Sequence, residues 1–190
     1  MNLLALALGA AVLLPVPGHP SVRPWPIGPG PRYRPAAAGP QVEAGRPLGG
    51  LRCAKQGAVF ALHLEIFADR RVVVVPAGIG VASPATRSGA SVVARGCTYP
   101  ARTAAPTGVV EVARGVPLRL SDLFRIWGQA LGPHRIASFR SRAPVRAYLG
   151  GRLVHGPVGA LRLTPHAEIV LELGAYVAPH PSFLFPGGGG

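Results

Sequence analysis

At 190 residues and 19.6 kDa, with 26 Gly and 22 Pro, the chain has room for one core flanked by segments that do not pack into it. Leu, Ile, Val and Phe together supply 54 residues, which suits a folded domain better than a disordered chain. Twenty basic against seven acidic residues give a net charge of +13, and the combination excludes a large multidomain enzyme, a polytopic membrane protein, a coiled coil and a collagen.

Leu3 to Val16 is uncharged and apolar over 14 residues, the length of a signal-peptide core and too short to span a bilayer. Residues 1–18 therefore read as a signal-peptide-like segment. Neither a basic residue before the stretch nor a clear small-residue cleavage site after it accompanies the pattern. Prolines then recur through residues 19–48, which reads as an extended linker with polyproline character. The domain proper is expected over 49–177, and 178–190, ending in four glycines, as a Pro/Gly-rich tail.

Cys53 and Cys97 are the two cysteines. In an oxidising compartment an even count in a small domain points to a disulfide; two buried thiols, or a two-Cys metal site completed by histidines, are the alternatives. Phe60, Leu62, Leu64 and Ile66 alternate with smaller or polar residues, the period of a strand with one buried face. A polar break over Ala68–Arg71 and the apolar Val72–Val75 complete a hairpin that Pro76 stops. Residues 82–91 read as loop, with a short strand at Val92-Val93, and Gly108–Ala113 as another strand. Ser121 is the expected helix N-cap; Leu120, Leu123, Phe124, Trp127 and Leu131 follow helical spacing, and Gly128 or Gly132 closes the helix. Val145–Leu149 and Arg152–Val154 flank the turn signal Gly150-Gly151, and Ala160–Leu163 and Glu168–Leu173 supply the last strands. The sum is an α+β domain: a mostly antiparallel sheet of six or seven short strands with one covering helix.

Three segments resemble a family of uncharacterised, exported prokaryotic domains, several of them in high-GC Gram-positive bacteria. They are His63-Leu-Glu-Ile-Phe67 continuing through Pro76-Ala-Gly-Ile-Gly-Val81, then Gly108-Val-Val-Glu-Val112, then Leu120-Ser-Asp-Leu-Phe-Arg-Ile-Trp-Gly128. The resemblance spans roughly residues 53–175 and implies an exported domain. Many members carry a histidine-rich segment before the helix that looks like a metal site. Here Arg102, Ala104 and Glu111 stand at its histidine positions, so that His63 alone of that ligand set is kept. The order of elements is also similar to small β-grasp-like domains, which carries no function.

His63-x-Glu65 and His166-x-Glu168 are two H-x-E pairs, each with both side chains on one strand face. If those faces meet, His63, Glu65, His166 and Glu168 form a divalent-metal site; ordinary solvated strand faces are the plainer account. Between Arg114 and Arg162 nine Arg face a single acid, Asp122. Arg135, Arg140, Arg142, Arg146 and Arg152 from this stretch are candidates for contact with an anionic envelope polymer or lipid headgroups. No nucleic-acid module, nucleophile elbow, phosphate loop or cofactor fingerprint occurs, so no cofactor and no catalytic residue is assigned. The leading expectation is an exported, non-enzymatic binding or structural domain at the cell envelope, outside the cytoplasm; the alternative is a metal-binding or metal-dependent protein using the two His/Glu pairs.

Overall fold

The computed structural model describes residues 32–33 and 46–185. The signal-like segment lies outside these residues, as does the linker apart from 32–33 and 46–48. The architecture is α+β: one helix and a mostly antiparallel, branched sheet.

The strands are β1 (Arg32–Tyr33), β2 (Val59–Ala68), β3 (Arg71–Val73), β4 (Ala85–Ser88), β5 (Ser91–Ala94), β6 (Ala101–Arg102) and β7 (Val109–Ala113). After the helix α1 (Leu120–Trp127) come β8 (Leu131–Gly132), β9 (Arg135–Ile136), β10 (Phe139–Arg140), β11 (Arg146–Leu149), β12 (Arg152–Val154) and β13 (Glu168–Leu173). Among the described residues the main sheet has eight strands in the order β1-β3-β2-β13-β11-β12, with β7 also on β2 and β6 on β7. The first and last long strands lie side by side at its centre, β13 running parallel to β2 from Glu168↔His63 to Leu173↔Ala68.

Alternation along these strands sorts the side chains onto two faces. Leu62, Leu64 and Ile66 of β2 and Ile169, Leu171 and Leu173 of β13 point to one face, where Leu120, Leu123, Phe124 and Trp127 of α1 cover them. All are buried, each worth about 1.5–3 kcal/mol of transfer free energy. The opposite face carries His63, Glu65 and Phe67 of β2 beside Glu168, Val170 and Glu172 of β13, and these too are buried. Its apolar part, Phe67, Val72, Tyr148 and Val170, is packed by Val177.

The covering chain is the segment expected to be a tail. Pro181 passes so close to the β11–β12 turn that a Cβ at Gly151, where φ is +76°, would lie 3.2 Å from the Pro181 Cα. Phe183 is buried, so residues 178–185 are part of the domain. At the other end, Tyr99 donates its hydroxyl to Arg46 O (2.6 Å), and Arg32–Tyr33 pairs in parallel with Val72–Val73; packed structure reaches into the expected linker.

Further differences from expectation have local causes. Residues 82–91 are not loop: β4 and β5 form a hairpin from Ala85↔Ala94 to Ser88↔Ser91. The polar, exposed β4 shows no hydrophobic alternation, so periodicity could not reveal it. Ala160–Leu163 is not a strand but a 3-10 turn at Val158–Ala160 followed by a single bridge, Arg119↔Arg162, in a stretch interrupted by Pro157, Gly159 and Pro165. The helix cap is Arg119 rather than Ser121. Asp122 reaches back to accept the Arg119 backbone N–H (2.9 Å), and Leu120 N donates to Leu161 O (2.8 Å), so the first turn closes before Ser121. Gly128, at φ +73°, ends the helix in the left-handed conformation glycine favours, and Leu131 lies beyond it in β8.

Cys53 and Cys97 form a disulfide (S–S 2.02 Å, Cα–Cα 5.5 Å). It joins the start of the domain to the strand-poor stretch before β6.

Candidate metal centre

The parallel register of β2 and β13 places Glu168 opposite His63 and Val170 opposite Glu65. Since alternate residues share a face, His63, Glu65 and Glu168 converge there, and one donor atom from each lies within 4.8 Å of the others. All three side chains are buried, at 1 %, 1 % and 3 % exposure. His63 Nδ1 is 2.8 Å from Glu168 Oε2; His63 Nε2 is 3.0 Å from the Thr107 carbonyl oxygen. A carbonyl only accepts, so Nε2 carries the hydrogen and donates.

Burial dominates the protonation of the pair. It drives His63 down from 6.5 to about 4, more than the opposing attraction of Glu65 restores. Glu168 rises from 4.5 to about 9, again by burial first and then by the neighbouring Glu65 charge. Both shifts favour the neutral forms. With Nε2 protonated, a neutral His63 has Nδ1 as acceptor, and a protonated Glu168 donates to it; hydrogen bonding and electrostatics agree.

His166 is not in the cluster. It precedes β13 in a left-handed conformation (φ +57°) and is exposed. The alternation that pairs positions 166 and 168 holds only inside a strand, and β13 begins at Glu168. The fourth polar group comes instead from the C-terminal segment, which sequence spacing left unassigned. His180 donates Nδ1–H to Glu65 Oε2 (2.6 Å), and the Phe183 ring stacks on His63 (centroids 3.6 Å apart, planes 11° apart). Glu65 Oε1 and Glu168 Oε1 are buried without a hydrogen-bond partner. No signal in the sequence joins position 180 to position 65; only the return of the chain over the sheet does.

No protein-family model, curated protein or solved structure matches this chain. Its chemistry has to be read from its own residues. Arg102 and Glu111 face each other across β6 and β7, and Arg102 Nε donates to Glu111 Oε2 (2.6 Å). That ion pair occupies a stretch of sheet next to His63 and offers no imidazole to a metal.

The arginine candidates separate into two kinds. Arg146 donates to the fully buried Glu172 from Nε (3.2 Å) and Nη2 (3.0 Å), so it is bound within the fold. Arg135 lies opposite Arg140 across β9 and β10 and donates Nε–H to Ala137 O (2.9 Å). Arg140, Arg142 and Arg152 are exposed.

Proposed function

We propose that this protein is an exported, non-enzymatic domain that binds a divalent metal ion at His63, Glu65 and Glu168. The observation that carries the reading is the pair of buried, unpartnered carboxylate oxygens, Glu65 Oε1 and Glu168 Oε1, beside an imidazole. Leaving such acceptors unsatisfied costs about 1–3 kcal/mol each, more where charge is involved. A dication that displaces the Glu168 proton into solvent accepts these lone pairs and balances the two carboxylate charges so formed. The hydrogen bond from His63 Nε2 to Thr107 O is of the kind that orients metal-bound histidines through their second nitrogen.

The extracytoplasmic part of the reading is supported by the Cys53–Cys97 disulfide and the apolar leader-like sequence. No helix among the described residues is long and apolar enough to cross a membrane. The exposed Arg140, Arg142 and Arg152 favour a second role, contact with an anionic envelope polymer, which salt-sensitive retention on such a polymer would test.

The deciding measurement is zinc titration of the chelator-stripped, disulfide-intact protein. We expect one equivalent to bind and the Glu168→Gln variant to bind at least about tenfold more weakly, in line with the 10–100-fold cost of losing even an outer partner of a metal ligand. An unchanged affinity in that variant, or no stoichiometric binding by the wild-type chain, rules the site out.

A further inference from the structure

We infer that the segment from Val177 to Phe185 is a strap that supplies His180 as a fourth ligand, so that the site takes a four-coordinate zinc-like ion and strap closure and ion capture are one event. This rests on the metal-binding reading above and adds to it the ligand, the class of ion and the means of entry.

The geometry supports each part. Three of the donors belong to the rigid centre of the sheet, whereas His180 is carried by chain that has left β13 and returned over its polar face. His180 Nδ1 already lies 2.6 Å from Glu65 Oε2. The four groups hydrogen-bond in two pairs, His63 with Glu168 and His180 with Glu65, which leaves the second oxygen of each carboxylate without a partner. His180 stands outside the three-donor cluster and touches it only through Glu65; drawn inward by closure of the strap, it completes a set of two imidazole nitrogens and two carboxylate oxygens. Zinc is commonly held by four such ligands, whereas calcium takes six to eight oxygens and magnesium keeps several waters; a buried nitrogen-containing set excludes both.

Access follows from burial. His63, Glu65 and Glu168 are closed to solvent, and the lid over them is the Phe183 ring on His63, edged by Phe185 at 4.9 Å. His180, its side chain 29 % exposed, marks the open side. An ion reaches the carboxylates only if this cover lifts. The strap is anchored at its start, where Val177 N donates to Glu172 Oε1 (3.2 Å), and Pro179 and Pro181 stiffen it, which lowers the entropy lost on docking. Lifting therefore pivots beyond Val177.

The test uses the full chain with its disulfide intact, comparing wild type, H180A, H180D and F183A. Zinc affinity is measured by competition with a chromophoric chelator, and strap closure by the rate of chymotryptic cleavage after Phe183 and Leu184. We expect zinc to slow cleavage of the wild-type strap at least tenfold, and H180A to lose both this protection and about a hundredfold in affinity. H180D, which restores an oxygen donor, should recover part of each, and F183A should release zinc faster. The inference is overturned if the wild type binds zinc while H180A binds equally well, or if zinc leaves the cleavage rate unchanged. No binding by the wild type removes the metal reading and the strap with it. Should H180A not fold, an H180D affinity equal to that of the wild type or lower by more than a thousandfold decides against a ligand at this position.

Discussion

Glu172 and Glu168 lie four positions apart on the same face of β13, and their surroundings treat them oppositely. Glu172 has the Arg146 guanidinium and the Val177 amide, so its charge has partners. Glu168 faces an imidazole and a second carboxylate, and burial holds its proton up to about 9. The His63–Glu168 pair consequently imposes a definite pH dependence on the metal-free protein. Between pH 6.5 and 9 the unfolded chain has released both protons while the folded chain keeps that of Glu168, so stability falls as pH rises. Between 4.5 and 6.5 each state holds one proton, on Glu168 when folded and on His63 when unfolded, and the slope vanishes. From 4.5 down to about 4 the unfolded chain holds one more proton than the folded, and stability falls with pH. Thermal melts in chelator should show a plateau over pH 4.5–6.5 with an alkaline decline; Glu168→Gln should flatten that decline, and an undiminished slope in the variant assigns it to other groups.

Among the elements, what the sequence made legible was what periodicity encodes. The alternation over Phe60–Ile66 and Glu168–Leu173 marks β2 and β13, and the helical spacing of Leu120, Leu123, Phe124 and Trp127 marks α1, because each buries one regular stripe. The pairing of β2 with β13 was not legible: alternation gives a strand its faces and says nothing of its neighbour, and a parallel partner some 105 residues away leaves no turn between them to read. The same limit explains the site. Positions 63 and 65 share a face by local rule, whereas Glu168 joins them only through the β2–β13 pairing and His180 arrives by a fold-back that no local rule describes; alternation extended past the start of β13 wrongly adds His166. The helix start shows a finer version, for residue preference points to the hydroxyl of Ser121 whereas the cap is made by Asp122 reaching back to Arg119 and pairing with Arg125 (2.9 Å). Asp122→Ala should cost about 1 kcal/mol, read from urea unfolding at constant m-value; a change below about 0.3 kcal/mol shows the Leu120–Leu161 hydrogen bond to be sufficient.

For the whole molecule, two buried faces of one sheet divide the labour: α1 and the aliphatic layer on one side hold the strands together, and the polar side holds the donors. The Cys53–Cys97 link, 44 residues apart, contributes about 4 kcal/mol in the chain-entropy description, a large share of the 5–15 kcal/mol typical of a domain. Replacing both cysteines by Ala should lower the unfolding free energy by about 2–4 kcal/mol in denaturant titration; a loss under about 1 kcal/mol would mean that the unfolded chain is already held compact there.

The central position of β13 has a kinetic meaning. Among the described residues the strand that completes the middle of the sheet follows every other strand in the chain, so a growing chain that has reached only residue 160 leaves β2 with an open edge. The centre of the sheet closes only when residues 168–173 have emerged, and such late, long-range closure is slow. Until then that open edge stays available for threading or cutting.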